Sequence, residues 1–250
     1  MLLDKLKMEF IGTFVLVYFA GLNLVGLKSG YTSLLAVGVS NFVVYGLLLW
    51  MGKAVSGSQY NPVITICLLI SRHVKLRDGL TFIFCQTVAA IFAISMLKMS
   101  LAAEDLNVIK QDTILGFPLM TANPIQGILL ETIGGFFIVL AYYTLLLEPK
   151  APKYVYGAGI SAVFLVTSMA LYQKTGCSLN PARSLAYALI GNRYRRLYVY
   201  IIGPIFGGII GSFLGNLLLS EKADSLKLRM KNERKKQNNT APKKRHNEQL

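Results

Sequence analysis

A chain of 250 residues with 54% hydrophobic and only 15% charged side chains is too apolar for an ordinary soluble domain, where charged residues make up about 25%. Its formal charge of +14 does not argue for nucleic acid, because Lys and Arg collect in short connections and at the C-terminal end instead of interleaving with aromatics. Catalytic and metal chemistry lack their residues: His73 and His246 both lie in basic contexts, and Cys67, Cys85 and Cys177 have no ligand-type spacing, so no enzyme, cofactor or metal is expected.

A helix that crosses a bilayer needs roughly 20 apolar residues. In chain order, stretches at 8–27, 33–52, 79–101, 126–147, 155–172 and 197–219 meet or approach that length. The first has no small-residue cleavage site and reads as a retained span, not a signal peptide. Two further apolar pieces, 61–70 and 180–190, open on Asn-Pro and are too short to cross. They must enter the membrane and stop partway.

The first span carries Glu9-Phe10-Ile11-Gly12-Thr13-Phe14, and the fourth repeats it as Glu131-Thr132-Ile133-Gly134-Gly135-Phe136. Asn61-Pro62 returns as Asn180-Pro181 at nearly the same offset, about 120 residues. Each half, about 5–101 and about 126–219, holds three spans, and an odd number forces the second copy to lie upside down relative to the first. The expected fold class is an all-α membrane protein: six transmembrane helices plus two re-entrant half-helices in an inverted repeat. One channel-like domain covers 1–220, and 221–250 reads as a basic, disordered cytoplasmic tail. With both termini cytoplasmic, 18 of the 26 basic residues face inward, which the positive-inside bias favours. The group Arg193, Arg195 and Arg196 opposes that bias.

The two short pieces read Ser56-Gly57-Ser58-Gln59-Tyr60-Asn61-Pro62-Val63 and Thr175-Gly176-Cys177-Ser178-Leu179-Asn180-Pro181-Ala182-Arg183. Asn suits a helix N-cap and Pro the first helical position, where its missing N–H costs nothing. One Asn-Pro would be only a cap. Two copies at matching places in an inverted repeat bring two helix N-termini together near the midplane, both aiming partial positive charge at one point. Irregular backbone at that depth survives only where protein buries it or water lines it, so a pore is expected. Cations and hydronium are repelled there, and the Asn61 and Asn180 amides donate to a passing water oxygen, which breaks proton relay along the file.

Over roughly residues 5–220 the chain resembles the aquaporin, or major intrinsic protein, family. The resemblance rests on the Glu9 motif, Ser56-Gly57 before Asn61-Pro62-Val63, Gln86, Glu131, the run Gly176 to Ser184, and Val199-Tyr200 before Gly203-Pro204 with Gly207-Gly208. It implies a homotetramer with one pore per subunit, in the lipid bilayer of the plasma membrane, conducting water. The pore signature falls on Asn61, Pro62, Val63, Asn180, Pro181 and Ala182, and the outer selectivity constriction on Asn41, Ser168, Cys177 and Arg183, with Phe42 the alternative to Asn41 if the register slips by one. Small polar side chains at Asn41 and Ser168 depart from strict water channels, so a facilitator of small neutral solutes such as glycerol, urea or ammonia is the alternative, and a non-conducting junctional or scaffold protein of the same fold is a third reading. Ser184 after Arg183, and Ala188 where the glycerol branch has a basic residue, favour water. Val63 replaces Ala in the first signature triplet, placing extra methyls where the half-helices touch. Glu9 and Glu131 are expected to be structural acids that accept backbone N–H groups of the re-entrant loops.

Overall fold

The computed structural model describes residues 2–103, 105, 113–114, 117–118, 120–147 and 155–240. Lys110, Lys150, Lys153 and the tail from 241 on, all part of the topology count, lie outside the described residues. Eight α-helices are present among the described residues: α1 Leu2–Lys28, α2 Leu34–Gly52, α3 Pro62–Ile70, α4 Leu76–Ser100, α5 Pro124–Ala141, α6 Val155–Thr175, α7 Pro181–Gly191 and α8 Val199–Thr240. A single π-helical turn, Tyr142–Leu146, follows α5. Six helices are long and apolar enough to cross a membrane, and α3 and α7, of nine and eleven residues, are the two half-helices. Among the described residues a two-residue antiparallel pair, Thr113–Ile114 against Phe117–Pro118, is the only strand structure.

Local chemistry sets the helix starts. Ser33 accepts from the Ala36 N–H at 3.2 Å to begin α2, and Asn123 with Gln126 forms a capping box ahead of Pro124 in α5. Asn192 closes α7 in the left-handed conformation, with its N–H on the last carbonyls. The helices begin earlier than the apolar runs, as at Leu2 and Leu76, because the charged first turns of α1 and α4 are helical too.

The halves interlock. α1 packs on α4 and α5 on α8, while α2 and α6 meet across the repeat. Each half-helix also leans on the last span of the other half: α3 on α8, and α7 on α4. Close approach in the α5–α8 pair requires glycine. A Cβ on Gly207 would lie 1.8 Å from the Thr132 carbonyl oxygen, one on Gly211 2.6 Å from that of Phe136, and one on Gly135 2.5 Å from that of Pro204, so the backbones are in contact as membrane helices with small residues allow.

Helix α8 runs on past the last span, from Leu219 to Thr240. The residues Glu221, Lys222, Ala223, Leu226, Lys227, Leu228, Arg229 and Met230 are good helix formers, and no proline follows Pro204 until Pro242.

Candidate functional site: two half-helices around a central cavity

Each half-helix is started by the side chain of its own Asn. Asn61 Oδ1 accepts from the Val63 N–H at 2.9 Å, and Asn180 Oδ1 accepts from the Ala182 and Arg183 N–H groups at 3.1 and 3.3 Å. The other end of each amide crosses to the opposite half: Asn61 Nδ2 donates to the Leu179 carbonyl at 2.8 Å, and Asn180 Nδ2 to the Tyr60 carbonyl at 3.1 Å. An amide NH2 has two hydrogens, so each Asn spends one on this crossed lock and keeps one. Both residues line a cavity of about 20 Å³ together with Leu16, Val17, Ala20, Tyr45 and Arg183. A single water needs roughly 10–15 Å³ of such space, so the centre has room for about one water. Its walls are apolar on the α1 side and polar on the loop side.

The loops that deliver the two Asn residues are held by the buried acids. Glu9, with no exposed surface, accepts from Ser56 Oγ at 2.6 Å, the Gln59 N–H at 3.0 Å, the Tyr60 N–H at 2.7 Å and Gln86 Nε2 at 2.8 Å. Glu131 accepts from Thr175 Oγ1 at 2.7 Å and the Ser178 and Leu179 N–H groups at 3.1 and 2.9 Å. Ser56 and Thr175, Gln59 and Ser178, and Tyr60 and Leu179 hold matching places in the two loops. Both loops put non-glycine residues in the left-handed region: Ser58 and Tyr60 in one, Cys177 and Leu179 in the other. Such a conformation costs roughly 1–2 kcal/mol per residue, and hydrogen bonds to a charged group contribute about 1.5–3 kcal/mol each, enough to hold the strained turns.

Tyr60 and Leu179 also wedge the loops against helices. A Cβ on Gly12 or Gly52 would fall 2.1 or 1.8 Å from Tyr60 ring or hydroxyl atoms, and one on Gly134 would fall 2.4 Å from Leu179. Gly12 and Gly134 are repeat partners, so the same device recurs. Tyr60 Oη donates to the Leu48 carbonyl at 3.0 Å.

Of the positions expected at the outer constriction, three are neighbours. Arg183, 5% exposed, donates from Nη1 to the Cys177 carbonyl at 3.3 Å, and the Cys177 thiol lies beside the hydroxyls of Thr167 and Ser168. Asn41 faces inward on α2 a turn before Tyr45, and its Oδ1 accepts from Asn23 of α1 at 3.1 Å. Phe42 lines a lateral pocket with Val43, Leu47 and Trp50, away from the central cavity. Pro62 and Pro181 are the first residues of their half-helices. Val63 turns its Cγ1 toward α8, 2.6 Å from where a Gly208 Cβ would be, and is not among the residues lining the central cavity. Ala182 is buried at the start of α7.

Several anchoring residues have roles that the sequence reading did not assign. Tyr142 donates to the Gly57 carbonyl, Tyr143 bonds the Ser71 hydroxyl at the end of α3, and Tyr200 donates to the Thr175 carbonyl at 2.8 Å. Arg196, without an assigned role in the sequence, donates to the Met120 and Ala122 carbonyls at 3.2 and 3.3 Å and ties the approach to α5 in place.

Six spanning helices with two half-helices meeting tip to tip at a narrow cavity define a membrane channel built as an inverted repeat. The chain belongs to the major intrinsic protein family, whose model matches residues 2–214. It is 28% identical over 221 residues to Aquaporin NIP1-1 of Oryza sativa subsp. japonica, covering 86% of this chain and 74% of that protein. It is 27% identical over 222 residues to Glycerol uptake facilitator protein-like 6 of Lactiplantibacillus plantarum, covering 87% and 99%. Its fold matches the X-ray structure of the aquaglyceroporin from Plasmodium falciparum with a TM-score of 0.72 at 14% identity, over 85% of this chain and 94% of that one. This is an integral, multi-pass membrane protein.

Proposed function

We propose that the chain is a passive water channel that excludes protons and ions, with Asn61 and Asn180 at the pore centre and Arg183 at the outer constriction. The observation that carries this reading is the division of labour in each Asn: Oδ1 caps its own half-helix, one N–H locks the opposite loop, and one N–H is left for the cavity. Two half-helix N-termini, each equivalent to roughly +0.5 charge, face the same point and repel cations and hydronium. Two amide donors turn a central water so that its hydrogens point away toward the loop carbonyls, so no continuous proton relay passes through it. Water crosses because it is neutral and exchanges partners at each step. A centre of about 20 Å³ supports water over bulkier solutes. The buried Arg183 guanidinium, aimed across the mouth of the Cys177 loop, adds a positive barrier.

A second reading, a facilitator of small neutral solutes such as glycerol, urea or ammonia, is favoured by the small side chains Asn41 and Ser168 and by the likeness to a protein named as a glycerol uptake facilitator. The positive-inside count supports cytoplasmic termini, the segment after Leu219 supports a cytoplasmic tail, and family membership supports a homotetramer in the plasma membrane.

Stopped-flow shrinkage of proteoliposomes under a sucrose gradient, paired with glycerol uptake, tests the assignment. Osmotic permeability should rise well above that of empty vesicles with little glycerol entry. Glycerol entry without a rise in water permeability would replace the first reading by the second, and no flux of either kind would leave a scaffold.

A further inference from the structure

The central cavity is walled in part by Ala20 of α1, Tyr45 of α2 and Phe164 of α6, and the two rings meet edge to face with centroids 5.4 Å apart. α2 and α6, the second and fifth spans, run in opposite directions. One turn beyond that ring pair, on the same helical faces, stand Asn41 on α2 and Ser168 on α6, and Asn23 follows Ala20 by three residues on α1. The Cys177 thiol lies beside the Ser168 hydroxyl, and the Cys177 carbonyl takes the Arg183 bond, so Asn41 shares the level of Ser168, Cys177 and Arg183.

Asn23 reaches α2 with its amide: Nδ2 donates to Ser40 Oγ at 2.9 Å and to Asn41 Oδ1 at 3.1 Å. Polar side chains commonly bond membrane helices to one another, and the Ser40 bond alone would do that. The second bond fixes which end of the Asn41 amide turns toward α1. Asn41 is 6% exposed. Its Oδ1 is engaged, while its Nδ2 donates to no group among the described residues and is not sealed from solvent. Turning either amide alone would set donor against donor or acceptor against acceptor, so the two side chains hold their orientation as a pair.

Resting on the channel reading above, we infer that Asn23 is a positioning residue for the outer constriction. It holds the Asn41 amide with the NH2 end toward the permeant, so that Asn41 and Arg183 form a rim of hydrogen-bond donors. Water meets that rim with its oxygen, as it meets Asn61 and Asn180 at the centre. A donor already aimed needs no side-chain ordering as each water enters.

The test is unit water permeability of reconstituted, quantified protein for wild type, Asn23→Leu, Asn41→Leu and the double variant, read as a cycle. Leu branches where Asn does but donates nothing. Losing part of one neutral hydrogen bond predicts a fall of roughly 2- to 5-fold for Asn23→Leu, a similar fall for Asn41→Leu, and nothing further in the double variant. An equal added fall on the Asn41→Leu background would make Asn23 a packing residue between α1 and α2, and that result overturns the assignment. If Asn23→Leu gives no folded protein, Asn23→Ala carries the same comparison, and failure of both overturns the assignment by giving Asn23 a role in holding the helices together. Wild-type flux equal to that of empty vesicles removes the channel reading itself, whereas a conducting wild type with unaltered variants removes only the role of Asn23.

Discussion

At the scale of single residues, the most informative departure from the family pattern is Val63. The sequence places its extra methyls where the half-helices meet, but side-chain direction depends on helix phase, and the partner that receives them lies in α8. There a Cβ on Gly208 would stand 2.6 Å from Val63 Cγ1, 3.0 Å from Cys67 Sγ and 3.1 Å from Val139 Cγ2. Val63 and Gly208 therefore form one packing unit, with the missing Cβ of one making room for the methyl of the other. Gly208→Ala should overpack this site and cost about 1–3 kcal/mol, and Val63→Ala should relieve it. Thermal unfolding of the detergent-solubilised protein, run as a double-mutant cycle, is expected to give a coupling of about 1 kcal/mol or more. Equal harm from Gly208→Ala in both backgrounds would show that the two side chains do not share the space. Tyr60 follows the same logic with less freedom, since its ring fills the gaps left by Gly12 and Gly52. A Gly next to an apolar run is visible in a sequence, but the ring that occupies its empty side is not.

At the scale of elements, the half-helices were legible because everything that starts them is local: Asn as cap, Pro as first residue, and an apolar run too short to cross. The carboxylates that hold their loops were legible through the repeat, since Glu9 and Glu131 stand at the same place in each half and a buried acid must find donors. The tyrosines were not. Tyr142 and Tyr143 both lie inside, one on Gly57 and the other on Ser71, and they sit on a π-helical turn of a kind that periodicity cannot announce, because one extra residue per turn shifts the inward face. The acids yield a direct comparison. Gln in place of either Glu puts an NH2 where donors already converge, so two donors face each other. Glu9 accepts four bonds and Glu131 three, so Glu9→Gln should lose on the order of 3 kcal/mol and Glu131→Gln somewhat less, read as lowered unfolding temperature in detergent. If the carboxylates relayed protons instead, the variants would keep their stability and change the pH dependence of flux.

At the scale of the whole molecule, the inverted repeat does more than bring two helix tips together. Because α3 packs on both α4 and α8, and α7 on both α4 and α8, each re-entrant segment is held by both halves of the repeat. Counting spans reached the inversion; the cross-packing depends on which helices adjoin in three dimensions, and no local pattern carries that. The same view bears on α8. Its first 21 residues, Val199–Leu219, suffice to cross a bilayer, and among the described residues those that line the central cavity precede Leu219. The continuation to Thr240 adds about 30 Å of helix at 1.5 Å per residue, as long as the hydrocarbon core itself, so it must project beyond the bundle instead of lining the pore. Truncation after Leu219 is therefore expected to leave permeability per channel unchanged when the amount of reconstituted protein is measured, even if less protein reaches the membrane. A large loss of unit flux in folded, truncated protein would mean that the extension bends back over an end of the pore, and the larger cavity lined by Lys5, Lys53 and Lys75 would be the first place to look for the contact, although like charges there and along the extension oppose it.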